Sequence, residues 1–204
     1  MRKGLILFAA AALTTTAACG GGKSRRVARV NANSTTDLSG KWNDSDARLT
    51  ADALIKECFS AAWLQNHMEE NGSRPSVAVG RIKNKTDEQI DGQVFVKNIE
   101  RAMVNSGKVE VLAQRNGELD AVIDEQNLGA SGRVSDESAA SVGNLKGANY
   151  VVVGRIASIT DQIEGQATKF YQINFELVNS ESGSKVWIGE HKIKKAIAQD
   201  KVSW

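Results

Sequence analysis

Apolar residues recur along this chain with two different periods, and the places where one period gives way to the other mark its elements. Residues 50–71 carry Leu54, Ile55, Cys58, Phe59, Ala62 and Trp63 at spacings of three and four. That is one stripe of an amphipathic helix, with Thr50 as its expected N-cap, Asp52 in the first turn and Asn71-Gly72 closing it. Residues 77–82 (VAVGRI) follow Pro75 and predict a strand whose mixed apolar pattern suits a central place with both faces covered. A turn at 84–87 leads to a helix over 92–105, with Phe95, Ile99, Ala102 and Met103 inward and Gly107 ending it. A short strand is expected at 108–112, with Val109 and Val111 on one side. Two further helices are expected: 119–127, with Leu119, Val122 and Ile123 inward, and 136–145, with Ala139, Val142 and Leu145 inward. Residues 150–159 (YVVVGRIASI) read as a buried strand. Tyr171, Ile173, Phe175 and Leu177 then alternate with Gln172, Asn174 and Glu176, a period of two that leaves one face wet. Ser180-Glu181-Ser182-Gly183-Ser184 is a hairpin turn, and 185–195 pairs back antiparallel with Val186 and Ile188 assigned to one face. The order predicts an α/β fold in two or three layers: a mixed β-sheet flanked by helices, with a C-terminal antiparallel hairpin.

The first residues follow a different rule. Arg2 and Lys3 precede an apolar run, Leu5 to Leu13, of about nine residues, within the range of a signal peptide and far short of the roughly twenty needed to span a bilayer. Thr16-Ala17-Ala18-Cys19 is similar to a bacterial lipobox, with Thr16 standing where leucine is usual. The organisation read from this is a lipoprotein signal peptide at 1–18, a lipid-anchored flexible linker at 19–45 with Cys19 as the lipidation site, and a globular α/β domain at 46–204. Gly20 is not the aspartate associated with inner-membrane retention, so the expected location is the periplasmic face of the outer membrane. Toward the end of the linker Trp42 stands alone in a polar stretch, and is expected to fold back on the domain as a strap.

Charge narrows the functions available. Lys and Arg number 26 and Asp and Glu 24, and Arg2 and Lys3 fall ahead of Cys19. The remainder is electrically neutral and has no basic block, which leaves no electrostatic footprint for nucleic acid. With Cys19 lipidated, Cys58 has no disulfide partner, and as part of an apolar stripe it is expected to be unreactive. His67 and His191, the only histidines, lack a second ligand at zinc spacing and are expected at the surface. No dinucleotide fingerprint, Walker loop or nucleophile elbow occurs. No catalytic residue, metal or cofactor is therefore expected, and the wet face carrying Gln172, Asn174 and Glu176 is the expected partner-binding surface.

Four blocks in order resemble the LpoB-type activators of penicillin-binding proteins and, more distantly, the CsgG family and the N-terminal domain of TolB. They are Val79-Gly80-Arg81-Ile82-Lys83-Asn84-Lys85-Thr86, Ala102-Met103-Val104-Asn105-Ser106-Gly107-Lys108-Val109, Gly147-Ala148-Asn149-Tyr150-Val151, and the closing hairpin from Leu177 to Trp187. The resemblance implies an outer-membrane lipoprotein, not itself an enzyme, that binds a class A penicillin-binding protein and stimulates peptidoglycan synthesis. A CsgG-like accessory role in envelope assembly or secretion is the alternative it implies. One departure bears on reach. About 25 residues, none of them Pro, separate Cys19 from Asp44; extended they span at most roughly 80–90 Å, and as a flexible coil about 25–30 Å.

Overall fold

The computed structural model describes residues 27–114 and 117–198. The chain divides into two units, Met1–Ala32 and Asn33–Trp204. Cys19 and the signal-like segment lie outside the described residues. In the first unit, residues 27–32 are exposed and form no helix or strand.

The second unit begins with α1 (Asp44–Ser60) and α2 (Ala62–Asn71). The stripe expected as one helix is thus broken at Ala61, whose extended backbone turns the chain. The expected N-cap moves as well. Asn43 accepts from the Asp46 N–H while Asp46 accepts from the Asn43 N–H, a reciprocal capping box, so Thr50 sits mid-helix and fully buried. Asp52 is mid-helix too and exposed. Gly72 closes α2 at φ +65°, a left-handed position that glycine adopts without strain.

Next come β1 (Ser76–Lys85), α3 (Gly92–Ser106), β2 (Glu110–Val111), α4 (Glu118–Ala130), β3 (Tyr150–Ile163), β4 (Gln166–Asn179) and β5 (Lys185–Ala198). The sheet order is β2-β1-β3-β4-β5. β1 runs parallel to β2 and β3, and β3, β4 and β5 form an antiparallel meander. The mixed sheet and closing hairpin are as the sequence predicts. α1, α2 and α3 pack on one face of the sheet. One core joins α1, α2 and α3 to Val77, Val79 and Ile82 of β1, Val152 and Ile156 of β3, Tyr171, Ile173, Phe175 and Leu177 of β4, and Trp187 of β5. Gly154 fits this core because a Cβ there would lie 2.5 Å from the Phe175 ring.

α4 and the segment after it depart from the expectation. Val122 and Ile123, assigned inward, are more than a third exposed, and α4 contributes no buried residue. Residues 136–145 form turns and bends instead of a helix, and Val142 and Leu145 are exposed. The amphipathic spacing is real, but the face it makes meets only a thin cover. A Cβ on Gly129 would lie 3.0 Å from the Ala140 backbone, so glycine lets the following loop lie against the helix end.

The resemblance motifs are largely stitching. The Asn149 side-chain oxygen accepts from the Ser76 N–H at 2.8 Å and the Ser76 Oγ at 2.7 Å, and the Asn149 carbonyl accepts from the Ser180 N–H at 2.9 Å. One residue thereby joins the start of β1 to the end of β4. Asn84 accepts from the Thr86 N–H at 2.9 Å and donates to the Glu88 carbonyl at 2.7 Å, the turn-closing role that short polar side chains suit.

Candidate functional site

Past the helices the core face of the meander turns ionic. Lys169 on β4 and Lys195 on β5 stand directly opposite each other, an arrangement that repels unless neutralised. Four carboxylates do so. Lys169 pairs with Glu88 and with Asp87 at 2.9 Å, and Lys195 pairs with Asp46 at 2.6 Å and Asp37 at 2.7 Å. Burial alone would raise the Glu88 carboxyl, but hydrogen bonds from Lys169, the Tyr171 hydroxyl and the Trp42 N–H outweigh it and hold the group below its ordinary value. Tyr171 is pushed up by burial and by the adjacent Glu88.

A strap running from Asp37 to Asn43 covers this cluster. The Tyr171 hydroxyl shares its single proton between Glu88 at 2.7 Å and the Gly40 carbonyl at 3.0 Å, the Trp42 N–H donates to Glu88 at 2.9 Å, and Lys195 donates to the Lys41 carbonyl at 3.1 Å. The Trp42 ring meets Phe95 and Tyr171 edge-on at 5.9 and 5.5 Å. Trp42 therefore lies on the domain, as a strap should. A cleft of about 680 Å³ beside it is lined by Trp42, Phe95, Val94, Ile90 and the acids Asp44, Asp87, Glu88 and Asp91. Asp87 and Glu88 there are paired with Lys169, and Asp91 caps α3 by accepting from the Gln93 N–H at 2.8 Å.

The remaining candidates are quiet. Burial pushes the Cys58 thiol up to about 12, so the nucleophilic thiolate is scarce at neutral pH. His67 is not at the surface as expected: it is buried, with Nδ1 3.1 Å from the Tyr150 hydroxyl and 3.3 Å from Asn71. Its place in the apolar stripe, four residues after Trp63, was the available signal. His191 is half-buried on β5.

The opposite face of the sheet carries none of α1, α2 and α3. Gln172, Asn174 and Glu176 lie on it, half-buried between the flanking strands; Gln172 donates to Asn174 at 3.2 Å, and Glu176 pairs with Lys185 at 2.9 Å. They sit beside a more distinctive group. Arg81, Lys83 and Lys85 alternate with Ile82 and Asn84 along β1, and Arg155 is the β3 register neighbour of Lys83. All four cations are exposed, and none is ion-paired among the described residues. On the same face Ile159 follows Arg155 along β3 and Ile188 of β5 is the register partner of Glu176; they are 67% and 57% exposed. Period alone marked this face as wet. It did not reveal the charge, because the basic residues are spread over two strands far apart in sequence.

A family model described as peptidoglycan-synthase activator LpoB matches residues 46–193. The chain belongs to this family. The match includes every helix and strand of the second unit save the first residues of α1 and the last of β5. No curated protein matches the sequence. Solved LpoB structures are among its structural likenesses. The C-terminal domain from Salmonella enterica is 15% identical, with 72% of this chain and 98% of that one covered and a TM-score of 0.43. Escherichia coli LpoB, solved by NMR, is 10% identical over 97% and 96% at 0.40. Lipoprotein GNA1162 of Neisseria meningitidis is 17% identical over 60% and 83% at 0.38. Within the LpoB match fall Arg81, Lys83, Lys85, Arg155, Gln172, Asn174 and Glu176 alike.

Proposed function

We propose that this chain is a regulatory binding module of the cell envelope, lipid-anchored through Cys19 at the periplasmic face of the outer membrane, which docks on a class A penicillin-binding protein and stimulates peptidoglycan synthesis. The LpoB family match over residues 46–193 carries this reading. Docking is assigned to the uncovered sheet face, where Gln172, Asn174 and Glu176 supply adaptable hydrogen bonds beside Arg81, Lys83, Lys85 and Arg155. Four cations without carboxylate partners among the described residues favour an acidic surface on the synthase, and Ile159 and Ile188 supply apolar contact. Such a surface sets association rate and partner choice more than raw affinity, which suits a regulator that must bind and release.

The test adds the full chain to a purified class A synthase and follows glycan polymerisation. The rate is expected to rise with wild type. The double variant Lys83→Glu/Arg155→Glu is expected to weaken binding about tenfold or more while leaving the thermal unfolding midpoint near that of wild type. A synthase that neither binds the chain nor accelerates in its presence sinks the reading. The anchor is checked by mass spectrometry of the mature N-terminus, where a diacylglyceryl mass on Cys19 is expected.

A further inference from the structure

α4 is the element whose design the fold leaves unexplained. It contains Glu118, Asp120, Asp124 and Glu125 and no cation. Acids suit the first turn, but Asp120 and Asp124 are four apart, a like-charge spacing that disfavours an isolated helix. Asp124 and Glu125 sit past the region where the dipole helps them. At 100° per residue, Asp120, Asp124 and Leu128 form one row and Ala121 and Glu125 the next. These rows make the outer face of the helix: Asp120, Asp124, Glu125 and Leu128 are exposed, and none of the three acids has an ion pair among the described residues.

The spacing of that row matches the basic sheet face. Residues four apart on a helix are separated by about 6 Å, and alternate residues on a strand by about 6.5–7 Å. Asp120 and Asp124 can therefore stand over two successive cations of the Arg81, Lys83, Lys85 series, with Glu125 toward Arg155 and Leu128 toward the neighbouring apolar residues. Within one chain no ion pair joins these two surfaces among the described residues. The first turn of α4 is held to α3 by the ion pair between Lys97 and Glu118, and Glu118 also accepts from the Gln114 N–H at 3.1 Å. α3 packs through Phe95, Ile99 and Met103 on the other side of the sheet.

We infer that the acidic face of α4 docks on the basic sheet face of a second copy of this chain. The two surfaces differ, so the contact is heterologous: it closes when two copies exchange it reciprocally and otherwise propagates head to tail. The inference stands on charge and spacing and does not depend on the synthase reading.

The test mixes full-length chain of natural isotopic composition with uniformly ¹⁵N-labelled chain, couples carboxylates to lysines with a zero-length carbodiimide, and identifies the linked peptides. Links between Asp120, Asp124 or Glu125 and Lys83 or Lys85 are expected, with one light and one heavy peptide. Their yield should fall about tenfold near 1 M salt, where the Debye length is only about 3 Å. The variant Asp120→Lys/Asp124→Lys should abolish them, and combining it with Lys83→Glu/Lys85→Glu chains should restore association, read as mass by sedimentation. Light–light and heavy–heavy links alone, or none between these peptides, would overturn the inference, whatever the synthase assay shows.

Discussion

Thr50 is buried completely, and its hydroxyl is the one buried side-chain polar atom without a hydrogen-bond partner among the described residues. Replacing it with the isosteric Val removes an uncompensated desolvation cost, so Thr50→Val should raise the unfolding free energy by about 1 kcal/mol in a urea titration. Thr at the head of an apolar stripe looks like a cap, which is why the sequence suggests one there; the true cap, Asn43 with Asp46 three residues on, begins before the stripe does. Lys169 is the opposite case, nearly buried and fully paired. Lys169→Ala leaves Glu88 without its cation, and about 2–3 kcal/mol of stability should be lost. The same carboxylates set the response to acid. Glu88, Asp37 and Asp87 all lie below their ordinary values. Their contribution is thus complete above the ordinary values, 4.5 for Glu and 3.8 for Asp, and is lost as pH falls through the lower folded ones. Melting temperature should be flat from neutral to about pH 5 and decline below it; a decline already under way well above pH 5 would show that these carboxylates do not set the acid response.

At the level of elements, α3 and α4 show what periodicity can and cannot tell. Both have apolar residues at helical spacing, yet Ile99 of α3 is completely buried and Ile123 of α4 is 37% exposed. Ile99→Ala should cost about 3–4 kcal/mol, and Ile123→Ala under about 1 kcal/mol, in chemical denaturation. The pattern identifies a face but not what meets it, so α3 and α4 are both legible nearly to their ends, while the inward face assigned to α4 is exposed and the helical spacing at 136–145 yields turns, with Gly143 in the left-handed region at φ +88°. The break at Ala61 was hidden for a related reason: α1 and α2 each present apolar residues to the same core, so the stripe runs on across the joint. The strap is the other element settled by packing. Trp42→Ala removes the ring wedged against Phe95 and Tyr171 and should cost about 2 kcal/mol, with near-ultraviolet circular dichroism losing its tryptophan signal in proportion.

For the whole molecule, sheet order and the one-sided placement of α1, α2 and α3 decide which surface remains for partners. The alternation in β4 exposed that surface to sequence reading at Gln172, Asn174 and Glu176. The four cations beside them could be assembled only once β1 and β3 were known to be parallel neighbours. A synthase and a second copy would compete for that face, so adding excess wild-type chain should accelerate synthesis less than proportionally, whereas Asp120→Lys/Asp124→Lys should not show the shortfall when rate is followed against chain concentration. One consequence concerns force. If the chain is anchored and docked as proposed, tension first meets the bonds from Arg48 and Ser45 of α1 to the Asn33 and Ser34 carbonyls and then passes to the strap. The Asp37–Lys195 pair, the bond from Tyr171 to the Gly40 carbonyl and the Trp42 ring bear the load in series. As they yield in turn, the freed segment from Asp37 to Asn43 lengthens the tether by roughly 20–25 Å while the core remains unstretched.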